Sequence, residues 1–216
     1  MLDRPFVSTK YAPERYGGLL ICGLNYGIAK GEISKPEAES KPWGEYFTHD
    51  TNRKGDPFVR RFALWFEWWG IPLDINGTPT ELNLAISQTN LFYDSYKLKN
   101  IERSEEENEN AFERLKIIIK RLSISGLLLA SPSMADLAQR NLSLPNWNIR
   151  TAGRFDFCHS SIGNLYVAIC PHPSGSPQSR RDVESLGGEM RDWVGSVLKE
   201  YNRKQPGQLL DPLSTP

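Results

Sequence analysis

The sequence predicts an α/β protein built on a central parallel β-sheet flanked by helices. Three observations predict it. Short apolar runs at residues 18–23, 82–87, 126–130 and 165–170 have the length of buried strands. Segments with helical periodicity separate most of them, several with recognisable start signals. Parallel strands need a long crossover between them, usually a helix, so strands alternating with helices imply a parallel sheet covered on its faces.

Residues 1–17 are polar, with two prolines, and read as a lead-in. The first strand, 18–23, runs into Leu24, Asn25, Tyr26 and Gly27. Residues 28–55 are long, polar and rich in Lys, Glu and Pro, with aromatic residues at Trp43, Tyr46 and Phe47. A loop of that length is usually functional or disordered. Asp56 followed by Pro57 is a helix start, a capping side chain before proline at the first helical position. Phe58, Phe62, Trp65, Phe66 and Trp69 then fall on one helical face, read as core, with Arg60, Arg61 and Glu67 off it. Gly70 ends that helix.

The next strand, 82–87, ends in Gln88, Thr89 and Asn90. Ser104 with Glu107 forms a capping box for a helix to about Leu122. The acidic run 105–109 suits the positive end of that helix. After the strand at 126–130, Ser131 and Pro132 start a short helix to about Arg140. Residues 148–151 and 154–158 are weaker strand candidates. The strand at 165–170 precedes a last helix, about 181–201. The expected organisation is one domain over 1–205, with a mobile tail over 206–216.

Charge and cysteine usage narrow the function classes. The 216 residues are 39% hydrophobic and 24% charged, and 26 Lys+Arg balance 26 Asp+Glu. Zero net charge excludes a protein that coats nucleic acid by bulk charge, but leaves room for a local basic patch. No apolar run approaches the about 20 residues that cross a bilayer. Met1-Leu-Asp-Arg-Pro-Phe carries no signal-peptide pattern. Cys22, Cys158 and Cys170 are scattered among apolar segments, as buried free thiols would be, and no Cys-x-x-Cys pair is present. The expectation is an intracellular protein, cytoplasmic (nucleoid-associated) or nuclear and not secreted, monomeric, without metal, cofactor or membrane partner.

The chemistry gathers at strand ends. The strand at 165–170 stops at Pro171 and Pro173, which flank His172. Proline removes a backbone donor and restricts its predecessor, so the histidine sits on a stiff loop. Ser174, Gly175 and Ser176 follow, before a helix. Free backbone N–H groups in such a loop can bind phosphate. The plain alternative is a surface turn with an idle histidine. In parallel sheets, however, ligands bind at the C-terminal ends of the strands. Asn25, Asn90 and His172 each follow a strand, so the fold predicted here brings three polar side chains to one edge.

Gly23-Leu24-Asn25-Tyr26-Gly27 resembles the first motif of the uracil-DNA glycosylase superfamily, whose mismatch-specific and single-strand-selective branches carry Gly-x-Asn-Pro-Gly. His172-Pro173-Ser174-Gly175-Ser176-Pro177-Gln178 resembles the second motif of the single-strand-selective branch, His-Pro-Ser-Pro-x-Asn-Pro-Gln. Thr89-Asn90 resembles the asparagine that reads uracil. Motif order and strand context match over residues 18–200. Each motif alone is weak, and the ordered pair is fairly specific.

The resemblance implies the three-layer fold of that superfamily and a monofunctional DNA glycosylase of base excision repair, acting on a flipped-out base in damaged DNA. It implies that His172 donates to uracil O2 as the leaving base becomes an anion, where a lost donor costs about 10²–10³ in rate. Asn25 would orient water against the sugar carbon, since an amide is no useful base. Another branch has aspartate there, which implies slower chemistry here. Asn90 would pair with the base edge, and Phe47, or Tyr46 or Trp43, would stack on it. Gly23, Leu24, Tyr26 and Gly27 would line the base pocket. Ser174, Gly175, Ser176, Arg180 and Arg181 would contact the DNA backbone, helped by Lys30 and Lys35.

Three positions depart from the pattern. Tyr26 and Gly175 stand where the family has proline. Gly27 stands where another branch has a tyrosine that blocks the thymine methyl, so 5-substituted uracils have room. Tyr26 and Gly175 somewhat favour a different class, a glycosylase-like protein that binds DNA or a nucleotide without cleaving it. A hydrolase using Ser174 or Ser176 with His172 lacks the Gly-x-Ser-x-Gly elbow. The phosphate-binding signatures of nucleoside triphosphate and dinucleotide enzymes are also missing. His49 and His159 read as surface or hydrogen-bonding histidines.

Overall fold

The computed structural model describes residues 18–25, 57–75, 78–92, 103–173 and 178–204. The lead-in, the loop at 28–55 and the tail expected at 206–216 lie outside them.

β1 (Leu19–Asn25) is followed by α1 (Pro57–Trp68), then a small hairpin, β2 (Asp74–Ile75) and β3 (Thr78–Pro79). α2 (Glu81–Ala85) leads without a break into β4 (Ile86–Phe92). Next come α3 (Glu105–Arg121), β5 (Gly126–Leu129), a 3-10 turn (Pro132–Met134) and α4 (Ala135–Asn141). β6 (Asn148–Ala152), β7 (Phe155–Ile162), β8 (Leu165–Ile169), α5 (Arg180–Ser185) and α6 (Gly187–Arg203) complete the order.

A six-stranded sheet runs β4-β1-β5-β8-β7-β6. The first four strands are mutually parallel, while β7 and β6 continue the sheet antiparallel. The expected α/β class with a helix-flanked central sheet therefore holds, but the sheet is mixed. The two antiparallel strands follow from tight turns at Gly153 and Gly163, both at positive φ, where glycine carries no Cβ penalty.

The period-2 alternation of β1 sorts its side chains to two faces. Leu19 and Ile21 join Leu128, Ala168, Cys170 and the stripe Phe62, Trp65, Phe66 and Trp69 of α1, together with α6 residues Met190, Trp193, Val194 and Val197. Leu20 and Cys22 join Leu127, Leu129, Val167 and Ile169 under Phe112, Leu115 and Ile118 of α3 and Ala138 of α4. The sheet is thus a middle layer with α1, α5 and α6 on one face and α3 and α4 on the other.

Several boundaries differ from the sequence reading. Residues 82–85 are helical, and the strand begins at Ile86 and carries the polar run 87–90 inside it. Leu82, Ala85 and Ile86 satisfy a helical spacing as well as a strand, and the neighbouring β1 decides. The last helix is two helices, broken at Leu186. Ser131 makes no capping bond. Its hydroxyl lies 2.8 Å from that of Ser133 instead. The capping box is as expected: Ser104 Oγ accepts from Glu107 N–H (3.2 Å), and Glu107 Oε2 accepts from Ser104 N–H (2.9 Å). Cys22 and Cys170 are buried free thiols, whereas Cys158 is half-buried. Burial pushes the first two thiols far above the ordinary range, and burial with nearby Asp156 raises Cys158.

Candidate functional site

The parallel strands all point one way, so the ends of β4, β1, β5 and β8 share one edge. Connections leave that edge to opposite faces: from β1 to the α1 face, and from β4 and β5 to the α3 and α4 face. Ligand crevices in α/β sheets form between neighbouring strands whose connections diverge in this way. β4/β1, β1/β5 and β5/β8 are all such pairs, and Asn90 and His172 lie at the outer two.

At the β4/β1 pair, Gly23 and Asn90 are direct register partners, as are Asn25 and Phe92. Asn90 is 8% exposed, and its carboxamide folds across β1 directly over Gly23. Any Cβ at position 23 would overlap Asn90 Oδ1, so glycine is what admits this side chain. The backbone of Asn25 is the last of β1. Leu24 differs from its sequence assignment: its side chain packs into the apolar cluster with α3, on the face opposite Gly23 and Asn90.

β4 buries four consecutive polar residues, Ser87, Gln88, Thr89 and Asn90. Gln88 Oε1 and Thr89 Oγ1 have no hydrogen-bond partner among the described residues. Such groups cost about 1–3 kcal/mol each when left unsatisfied. Just past the end of β4, the Arg103 guanidinium lies 3.8 Å from the centroid of Phe92.

At the β5/β8 pair, the ladder continues one residue past β8, through Cys170 N–H to Leu129 O (3.0 Å). Pro171 and Pro173 are buried, and His172 between them is half-buried. The imidazole packs against Phe58 at the start of α1, with centroids 5.4 Å apart and planes tilted by 52°. His172 thus lies on the side of the sheet that α1 covers, as Asn90 does. Three strand spacings separate β4 from β8, about 14 Å at 4.8 Å each. Two side chains, two hydrogen bonds of about 2.9 Å and one heterocycle span such a gap.

Phe58 was read from sequence as one more core position of the stripe. The four residues after it in the stripe are fully or almost fully buried, but Phe58 is only half-buried and faces His172. The signal was its place: directly after the helix start, where α1 meets the sheet edge.

Arg180 and Arg181 open α5 and are exposed. Ser179 caps that helix by accepting from Asp182 N–H (3.1 Å). Arg180 pairs with Glu184 at 2.7 Å and lies 6.0 Å over the Trp68 ring. Tyr26, Gly27, Lys30, Lys35, Trp43, Tyr46, Phe47, His49, Ser174, Gly175 and Ser176 lie outside the described residues. His159 sits on β7, stacked on Phe157 at 5.5 Å, and burial, followed by nearby Arg150, lowers its pKa. Among the described residues, no three of His, Cys, Asp and Glu gather as a metal site would, and no helix is long and apolar enough to cross a membrane.

No protein-family model matches the chain, and no curated protein matches it. Among solved structures, it is similar to a domain of unknown function (DUF1537) from Bordetella bronchiseptica, determined as a domain-swapped dimer with bound citrate. The identity is 10% and the TM-score 0.34, over 84% of this chain and 41% of that one. A Haemophilus influenzae protein of the same DUF1537 family gives 12% identity and a TM-score of 0.33, over 87% of this chain and 42% of that one. The chain spans about two fifths of the length of these structures.

Proposed function

We propose that the chain is a monofunctional DNA glycosylase, hydrolysing the N-glycosidic bond of uracil or a modified base in DNA. One observation carries this reading: Asn25 closes β1, Asn90 lies near the end of the adjacent β4 and His172 follows β8, so residues of three motif-like segments gather toward one edge of a run of four parallel strands.

In this reading the bond between the sugar carbon and the base nitrogen breaks, and its electron pair leaves with the base. His172 donates a hydrogen bond to uracil O2 as negative charge collects there. A donor aimed at charge that exists mainly in the transition state raises the rate more than it tightens binding. Asn90 holds the base edge with its carboxamide, which offers an acceptor and two donors. Asn25 orients the water whose oxygen bonds to the sugar carbon, and the proton that this water loses passes through solvent to the departing base anion. The base is reached only when flipped out of the duplex.

Single-turnover cleavage of oligonucleotides carrying uracil, hydroxymethyluracil, hypoxanthine or ethenocytosine tests the proposal. His172→Ala should slow cleavage by ~10²-fold or more, with DNA binding nearly intact. Asn25→Asp adds negative charge beside a cationic sugar and should hold or raise the rate. Equal cleavage by wild type and His172→Ala would overturn the assignment. DNA binding without cleavage of any of these bases would establish the binding-only alternative.

A further inference from the structure

We propose that Phe58 is a positioning residue for His172, fixing the direction in which the imidazole presents its donor; the catalytic part of this inference rests on the glycosylase reading. The backbone of His172 is held by buried prolines on both sides, so what remains to set is the side-chain rotamer. Phe58 packs against the ring at 5.4 Å. Phe58 is itself held edge-on by Phe62 at 4.9 Å and 72°, and Phe62 is held by Trp65 at 5.6 Å and 75°. Phe62 is 0% and Trp65 1% exposed. A run of four rings therefore reaches from the close-packed core to the imidazole. Close-packed interiors transmit displacement, so the immobility of Trp65 and Phe62 is passed outward to His172.

Phe58 is also the second residue of α1, the helix that follows β1 among the described residues. It couples the entry of that helix to the loop after β8, two segments more than a hundred residues apart in sequence. A hydrogen bond is lost quickly as its angle falls, and misplacement by about 1 Å can cost ~10²-fold in rate. Replacing the Phe58 ring by a flexible apolar side chain should therefore slow catalysis without removing any group that touches substrate.

The test uses Phe58→Leu, which keeps apolar contact with Phe62, and Phe58→Tyr, which keeps the ring. The chain has three histidines, so the His172 imidazole resonances are assigned by comparison with His172→Gln. An aromatic ring shifts the resonances of a neighbouring ring. Phe58→Leu should move the His172 signals, leave those of His159 in place, and lower the single-turnover rate about tenfold or more at unchanged DNA affinity. Phe58→Tyr should restore both readouts. Unmoved His172 signals in Phe58→Leu would overturn the positioning, whatever the activity. Moved signals with an undiminished rate would overturn its catalytic role. Should wild type cleave no candidate base, the glycosylase reading fails separately, and NOEs from the His172 ring protons to the described neighbours, unchanged or rearranged in Phe58→Leu, decide whether Phe58 orients His172.

Discussion

The contact between Gly23 and Asn90 makes a prediction that needs no assumption about function. In Gly23→Ala the new methyl overlaps Asn90 Oδ1 and lies 3.5 Å from Asn90 Cγ, whereas the next atom, Thr89 O, is 4.0 Å away in ordinary contact. The conflict is thus almost wholly with one side chain. Overpacking costs about 1–3 kcal/mol, against which Ala recovers roughly 0.5–1 kcal/mol of the strand penalty of Gly. Gly23→Ala should therefore destabilise by about 1–2 kcal/mol. In an Asn90→Ala background the obstructing atoms are gone, and the same change should be neutral or stabilising by roughly 0.5 kcal/mol. The coupling in the double-mutant cycle should then be about 2 kcal/mol, read from urea midpoints at constant m-value. Gly18→Ala is the control. Its methyl would meet the backbone oxygen of Ala85, so its cost should be the same in both backgrounds. A Gly23→Ala cost that is equal with and without the Asn90 side chain would refute the packing of that carboxamide over β1.

Two further outcomes are expected. The buried thiols Cys22 and Cys170 have folded-state pKa values raised by burial, so above about pH 8.5 the unfolded chain loses protons that the folded chain keeps. Their stabilising effect is complete below that pH, and stability should fall above it by about 1.4 kcal/mol per pH unit per thiol. Cys22→Ala should remove one such increment from the slope of urea stability between pH 8 and 10, and an unchanged slope would contradict its burial. Ser104→Ala removes one half of the capping box and should cost about 1 kcal/mol in the same assay. No loss would show that this end of α3 contributes nothing.

What was legible in the sequence was what is decided locally. The capping box of α3 is written in four adjacent residues, and the stripe of α1 in one helical period. The apolar runs of β1, β5 and β8 mark strands because both their faces are covered. What was not legible depends on partners far along the chain. β4 buries Ser87 to Asn90, polar residues that a hydrophobic pattern assigns to solvent, because β1 and its surroundings enclose them. The break between α5 and α6 falls where Gly187 approaches the backbone of Trp69, within 3.4 Å of its carbonyl for an added Cβ. At the candidate site, reading strands alone brings Asn25, Asn90 and His172 to one edge, but Asn25 is the last residue of β1 and Asn90 lies inside β4, not after it. The seating of Asn90 on Gly23 needs the register of two strands, and the contact of Phe58 with His172 needs the angle at which α1 crosses the sheet.

The interior position of β1 sets a condition on synthesis. Leu19 pairs with Ile86 on one side and Gly126 on the other. β1 is therefore enclosed only when chain about 110 residues further on has left the ribosome, which takes roughly 5–20 s at ordinary elongation rates. Until β4 has emerged Leu19, Leu20, Ile21 and Cys22 have neither neighbour, and from then until β5 emerges one edge of an apolar strand stands open to other chains. The nascent polypeptide is a natural client for chaperones that shield extended apolar segments. A break in translation between β4 and β5 would release a chain with β1 paired on one side only.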